Sequence, residues 1–206
     1  HGAGWLEGAI PMRADEVLER FRRTGALLEG HFILTSGLHS PVYLQCALVL
    51  QHPPEAEAFA RALAGQYAGR GIQTVVAPAI GGIVIGYETA RALGARSLWT
   101  ERDAAGAMTL RRGFGVRAGE SVLVVEDVIT TGGSTRETIE VMRAAGASVV
   151  AAASIIDRSG GRVDVGVPRI ALATLDVAAL APSACPACQR GEPAFKPGSR
   201  KAKDEG

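Results

Sequence analysis

A chain of 206 residues, 47% apolar and 21% charged, can bury one sizeable core and has the composition of an ordinary globular protein. Its formal net charge of +1 gives no electrostatic case for a nucleic-acid or anionic-membrane partner, and no apolar run approaches the ~20 residues that span a bilayer. Three cysteines are too few for a disulfide framework, so a reducing, cytoplasmic setting is expected.

The opening HGAGWLEGAIPMR lacks the basic and apolar regions of a signal peptide. Residues 1–12 and 196–206 are expected to lie outside the fold, disordered or foreign to it. Asp15 is a candidate cap for a helix with Val17, Leu18 and Phe21 on one face, ending near Gly25. HFILTSGLHSPVYLQCALVL, residues 31–50, reads as two short strands around a Ser-Gly-Leu-His-Ser-Pro turn. Pro53-Pro54 opens a helix whose Phe59, Leu63 and Tyr67 recur at helical spacing, with Gly69 and Gly71 ending it. TVVAPAI, residues 74–80, is a buried strand that leads through Gly81-Gly82 into a helix to Ala92. ARSLWT (95–100) and Val122–Val125 are further strands, and Ser134–Ala145 is a helix stopped by Gly146. SVVAAASIID (148–157) and GVPRIALATL (166–175) complete the series.

Strands alternate with helices, and several strands are apolar throughout. That pattern predicts a doubly wound α/β fold whose mainly parallel sheet is covered on both faces. Ligands in such folds lie beyond the carboxyl ends of the strands. Two such ends stand out, Pro78–Gly82 and Glu126 onward. The segment ERDAAGAMTLRRGFGVRAGE, residues 101–120, is glycine-rich and charged and suits a mobile loop with a hairpin at its base.

VLVVEDVITTGGSTRETI, residues 122–139, runs from a buried strand into two acids, then into a loop of hydroxyls and glycines that opens a helix. Such a loop can turn its amides inward, and the helix start adds positive potential; together they form an anion cradle. It has neither the Gly-Lys-Ser/Thr of a Walker loop nor a Gly-x-Gly-x-x-Gly fingerprint. Carboxylates beside a phosphate cradle would repel a bare phosphate. They suit a ligand that also carries hydroxyls, as a sugar 5-phosphate does. An isolated acid pair would read as a solvated strand end; the whole block argues for a phosphosugar site.

VLVVEDVITTGGST resembles the PRPP-binding motif of type I phosphoribosyltransferases. FILTSGLHSPVYLQ, APAIGG and IIDRSGG resemble the base-side segment, the pyrophosphate loop and the strand-end Asp-Arg of the orotate phosphoribosyltransferases, in that family's order over about residues 14–190. The resemblance implies a type I phosphoribosyltransferase fold in a single domain over 14–190, with a hood from about 14–50 and 160–190 and a core of about 55–158. It implies transfer of 5-phosphoribosyl from PRPP to orotate, with Mg2+ held mainly by PRPP and water and with no certain protein ligand. Asp127, Glu126 and Arg102 are the implied catalytic residues. Glu126 and Asp127 would hold the ribose hydroxyls. Val128, Ile129, Thr130, Thr131, Gly132, Gly133, Ser134 and Thr135 would hold the 5′-phosphate, and Ala79, Ile80 and Gly81 the pyrophosphate. Orotate would meet Ser36, Gly37, Tyr43, Thr131 and Arg158, whose planar fork suits a carboxylate. The family also implies a homodimer whose loop at about 101–113 covers the neighbouring active site.

The chain departs from its relatives in its cations. The loop has no lysine and no histidine, and Thr35 and Gly81 stand where lysine is common. Glu126 stands where the motif's first acid is commonly Asp. This is an arginine-loop variant, either a subgroup relying on Arg102 or a relative with weakened catalysis. Arg111 and Arg112 read as an exposed basic hairpin face. Purine phosphoribosyl transfer and a non-catalytic PRPP-sensing regulator remain alternative functions. Cys185-Pro-Ala-Cys188 has metal-like spacing but no second cysteine pair, so a reduced dithiol or an accidental disulfide is expected. His39 reads as a solvated turn residue, His52 as a loop residue, and Trp99 as packing.

Overall fold

The structure is a computed structural model that describes residues 12–34 and 37–197. Helix α1 (Ala14–Arg23) buries Val17 and Phe21, one turn apart. Its N-cap is Arg13, not Asp15. The Asp15 carboxylate instead takes the Arg13 guanidinium at 2.9 Å and the Glu16 amide. Strands β1 (Leu27–Ile33) and β2 (His39–Leu44) form an antiparallel hairpin in register from Leu27–Leu44 to Ile33–His39. The expected second strand stops there, because CALVL is helix α2 (Cys46–Leu50). Its buried residues, Cys46, Val49 and Leu50, follow the helical interval that a short apolar run conceals. Helix α3 (Pro53–Gly65) opens at its two prolines, and Phe59, Leu63 and the following Tyr67 are buried. The Tyr67 hydroxyl donates to the Ala152 carbonyl at 3.1 Å.

The remaining elements are β3 (Thr74–Pro78), α4 (Gly82–Leu93), β4 (Arg96–Arg102), β5 (Met108–Leu110), β6 (Ser121–Ile129), α5 (Gly133–Ala144), β7 (Ser148–Asp157) and β8 (Arg169–Thr174). They make a six-stranded sheet in the order β5-β4-β3-β6-β7-β8, parallel except at β5. Each central strand is buried on both sides, as its unbroken apolar sequence requires. Val75, Leu123, Val125, Ala153 and Ile155 join a core with Phe59, Leu63 and Ile85. Val76, Val122, Val124 and Ala152 face Ile139 and Met142 of α5 in the other. Helix α4 lies unusually close to β3: a Cβ on Gly86 would fall 2.7 Å from the Ala77 Cβ.

The hood differs from its expected limits. Strand β8 pairs with β7 from Ala152–Arg169 to Asp157–Thr174, so the sheet extends to residue 174. The following segment leaves the sheet and returns to the hairpin. Leu180 exchanges backbone hydrogen bonds with His39 (2.7 and 2.8 Å), and Phe195 bridges Phe32. Helix α6 (Pro186–Gln189) lies between these two bridges.

Residues 101–120 form a tight β4–β5 hairpin and a return turn. Asp103 Oδ1 accepts the amides of Ala105 and Ala107, both at 2.9 Å. Arg112 adopts a left-handed φ of 59° and forks the Glu101 carboxylate, and Phe114 meets Trp99 edge-on at 4.7 Å. Arg112 is thus an exposed hairpin cation and Trp99 a packing residue. Among the described residues no helix is long and apolar enough to cross a membrane.

Candidate active site

Strand β6 carries Glu126 and Asp127 within its last turns of pleat, not beyond its end. Glu126 is buried, and the next residue, Asp127, is half-buried. Burial first, then the charge and hydrogen bond of Asp127, push the Glu126 carboxyl well above its usual range. Beneath the pair is Cys46, which sequence reasoning missed. Burial, and then the charge of Asp127, push its thiol well up, so it remains S–H and hydrogen-bonds Asp127. No local motif marks Cys46; only the fold brings α2 under β6.

The turn after β3 rests on this pair. A Cβ on Gly81 would fall 2.7 Å from Asp127 Oδ2, and one on Gly82 would fall 3.1 Å from Glu126 Oε1 and 3.2 Å from the Val125 carbonyl. Glycine at 81 therefore answers to a close approach between turn and carboxylate. The turn is anchored by the Ala79 amide, which donates to the Thr100 carbonyl at 2.7 Å, and its Ala79–Ile80 peptide is cis. The Ile80 side chain points to solvent, 85% exposed.

Beyond Ile129 the chain curls around a recess of about 60 Å3 lined by Glu126 and Val128–Thr135. Gly132 makes this possible. It has φ 72° as the N-cap of α5, and a Cβ there would strike Val163 at 2.6 Å. Arg136 braces the loop from outside, donating to the carbonyls of Thr131 (2.7 Å) and Asp164 (2.8 Å). The recess therefore lies at the positive end of a 12-residue helix, as a phosphate cradle should.

A second cavity, of about 480 Å3, adjoins this loop. Leu34, Leu38, Tyr43, Thr130, Thr131, Arg158, Val177 and Ala179 line it. Tyr43 is braced by Phe32, ring centroids 5.8 Å apart. Arg158 reaches Ser40 Oγ at 3.4 Å, while its buried Nε has no hydrogen-bond partner. Burial lowers the Arg158 pKa, so a negatively charged group in this cavity would be favoured beside it. Asp157 does not face the cavity. It accepts the Ser159 amide (2.7 Å), the Ser159 hydroxyl (2.6 Å), the Gly161 amide (3.0 Å) and Arg169 (2.8 Å). Burial works against its charge, but these donors outweigh it and hold the carboxyl low. Asp157 shapes the turn that presents Arg158.

The fold thus gathers Glu126, Asp127, the 128–135 loop and Gly81 at one place, and Tyr43, Thr131 and Arg158 at the next. Gly37 lies in the tight Leu34–Leu38 turn at the cavity rim, its amide donating to the Leu34 carbonyl at 2.9 Å. Ser36 and Thr35 lie outside the described residues. Arg102 is not brought to the acids: it donates to Glu137 and to the Gly106 carbonyl, both at 2.6 Å. His39, expected in solvent, is buried against Cys188.

The chain is a phosphoribosyltransferase: the Phosphoribosyl transferase domain family matches residues 48–168, the span from α2 to the end of the loop after β7. It belongs to the orotate phosphoribosyltransferase family. It is 57% identical to the orotate phosphoribosyltransferase of Pelotomaculum thermopropionicum over 92% of this chain and 100% of that protein. It is 55% identical to that of Heliobacterium modesticaldum over 92% of this chain and 100% of the relative. Among solved structures, orotate phosphoribosyltransferase from Aeropyrum pernix is similar with a TM-score of 0.62 and 29% identity, covering 77% of this chain and 93% of that one. An adenine phosphoribosyltransferase from Thermoanaerobacter pseudethanolicus matches as well in shape, TM-score 0.63, at 17% identity over 77% of this chain and 99% of the other. Backbone shape alone therefore does not select the base; side chains must.

Proposed function

We propose that this chain transfers the 5-phosphoribosyl group of PRPP to orotate, releasing pyrophosphate and forming orotidine 5′-monophosphate for pyrimidine nucleotide synthesis. The observation that carries the choice of base is Arg158, whose buried Nε is unpaired in a cavity beside the phosphate loop. A planar carboxylate on a flat ring would satisfy that guanidinium while the ring lies against Tyr43. A neutral purine offers hydrogen-bond acceptors but no charge to balance the buried guanidinium.

Breaking the ribose C1–O bond leaves positive charge on the sugar and negative charge on pyrophosphate. The catalytic task is to position three groups and balance those two charges. The 5′-phosphate belongs in the Thr130–Ser134 cradle. Asp127 and Glu126 would accept the ribose hydroxyls, and Asp127 would also favour the ring that becomes cationic. The turn at Ala79, Ile80 and Gly81 would present its amides to pyrophosphate. Orotate arrives as an anion, so its ring nitrogen attacks without a dedicated base.

The adjoining carboxylates, with no cationic side chain paired to either among the described residues, are hard oxygen donors of the kind Mg2+ accepts. When bound through PRPP and water, Mg2+ supplies positive charge to the departing pyrophosphate. Arg102 is our choice for a second cation, which requires it to leave Glu137. We further infer a cytoplasmic homodimer with residues 14–190 acting as one unit and the 101–113 loop reaching the neighbouring site. Supporting association, α4 turns Val84 and Tyr87 outward next to Ile80, with Tyr87 58% exposed.

The test is to mix protein, PRPP and Mg2+ with orotate, hypoxanthine or adenine and follow ultraviolet absorbance. Consumption of orotate alone is expected. Turnover only with a purine would overturn the base assignment, and turnover with none would favour a PRPP-sensing regulator.

A further inference from the structure

Four donor groups outside the catalytic cleft converge in the hood. His31 Nε2, His39 Nδ1, Cys185 Sγ and Cys188 Sγ all lie within 4.8 Å of one another. Both histidines and Cys185 are buried, and Cys188 is half-buried. Cys185 Sγ is 3.5 Å from His31 Nε2, and Cys188 Sγ is 3.6 Å from His31 Nε2 and 3.2 Å from His39 Nδ1. A tetrahedral site with Zn–S of about 2.3 Å and Zn–N of about 2.0–2.1 Å sets sulfur–nitrogen edges of about 3.5 Å and nitrogen–nitrogen edges of about 3.3 Å. The two sulfur–nitrogen distances to His31 match, and the one from Cys188 to His39 is about 0.3 Å short. The two ring nitrogens stand at 2.7 Å and need to part by about 0.6 Å around an ion.

The surroundings have the features of a ligand set. His31 Nδ1 lies 2.9 Å from the Glu192 carbonyl, to which it can donate only as N–H. That tautomer leaves the Nε2 lone pair facing the sulfurs, as a ligating histidine requires. Cys185 is the N-cap of α6 and Cys188 lies within that helix, so one short turn presents both sulfurs on the same side. A cavity of about 280 Å3 lined in part by His31, His39 and Cys185 offers an ion a way in.

We propose that His31, His39, Cys185 and Cys188 bind a zinc ion that fastens residues 176–195 onto the β1–β2 hairpin. Two thiolates and two imidazoles in a tetrahedron select zinc among common metals, and a closed four-ligand set marks a structural site, not a catalytic one. The ion joins the two walls of the base cavity, since the hairpin supplies Tyr43 and the returning segment supplies Val177 and Ala179. Both cysteines are free thiols, and the two further donors that the spacing alone did not offer come from the other end of the chain. The proposal stands apart from the choice of base.

The full-length protein, purified reduced, should contain one zinc per chain by mass spectrometry of the metals. After stripping with a chelator, adding Co2+ should produce the visible bands of tetrahedral cobalt and a thiolate charge-transfer band at one equivalent. C185S/C188S should lose the zinc, melt at a lower temperature and expose residues beyond 174 to protease. Absence of zinc together with no cobalt spectrum would overturn the proposal, as would zinc retained at full stoichiometry in the double variant. The cobalt titration uses the unaltered chain, so it decides the matter even if the variant fails to fold.

Discussion

Two buried glutamates, one just before β6 and one near its far end, have opposite fates. Glu120 immediately precedes β6, where Arg96 pairs with it at 2.7 Å, the Arg117 amide donates at 2.8 Å and the Thr74 hydroxyl makes a short hydrogen bond. Burial opposes its charge, but those donors win and hold the carboxyl at about 2. Glu126, near the other end of β6, meets another carboxylate instead of a cation and is pushed up. One sheet thus has a finished edge and an unfinished one. Satisfied charge holds the fold together, and unsatisfied charge waits for a ligand.

Substitutions at the two ends should therefore separate activity from stability. The largest effect is expected from Asp127→Asn, which should lower turnover by ~10²–10³-fold while leaving the unfolding midpoint equal or higher. A matching loss of stability, read by thermal melting, would break the contrast. Arg158→Ala should follow, lowering kcat/KM for orotate by ~10–100-fold with the KM for PRPP nearly unchanged. Arg158→Lys should restore little, because a point charge does not replace the fork. Glu120→Gln should do the reverse of Asp127→Asn, costing about 1–3 kcal/mol in denaturant unfolding with both KM values unchanged.

Acid should protonate Glu126 at the unfinished end first and reach Glu120 only at lower pH. The folded carboxyl of Glu120 titrates at about 2, below the ordinary glutamate value of about 4.3, so its contribution is complete above that value and drains as pH falls toward 2. Melting curves of wild type and Glu120→Gln should converge over that interval. The smallest effect is expected from Arg112→Ala, under about twofold in kcat, because Arg112 is itself exposed and pairs with Glu101, away from the acid pair. A fall larger than that of Asp127→Asn would refute the assigned roles.

What the sequence disclosed follows contact distance along the chain. The strand, acids, loop and helix of 122–139 are contiguous, so the phosphate half of the site was readable residue by residue. Alternating elements and unbroken apolar strands gave the parallel sheet. Features made by distant segments were not readable. Cys46 under Asp127, the carboxylates against Gly81, and His31 with Cys188 each require tertiary folding. Local competition misled in two further places: Arg13 took the Asp15 carboxylate from its capping role, and five apolar residues after β2 wound into α2. Arg102 was chosen by its position in a motif, and its present partner, Glu137, is 35 residues away.

The backbone bridges of Leu180 to His39 and Phe195 to Phe32 also order events during synthesis. The six-stranded sheet has all its strands once residue 174 has left the ribosome, and a sheet of this kind can begin to fold from its N-terminal side. The first hairpin, though made earliest, must wait for the last segment to cover it. A nascent chain would hold its phosphate cradle well before it can enclose a base, so competence arrives with the final residues of the fold.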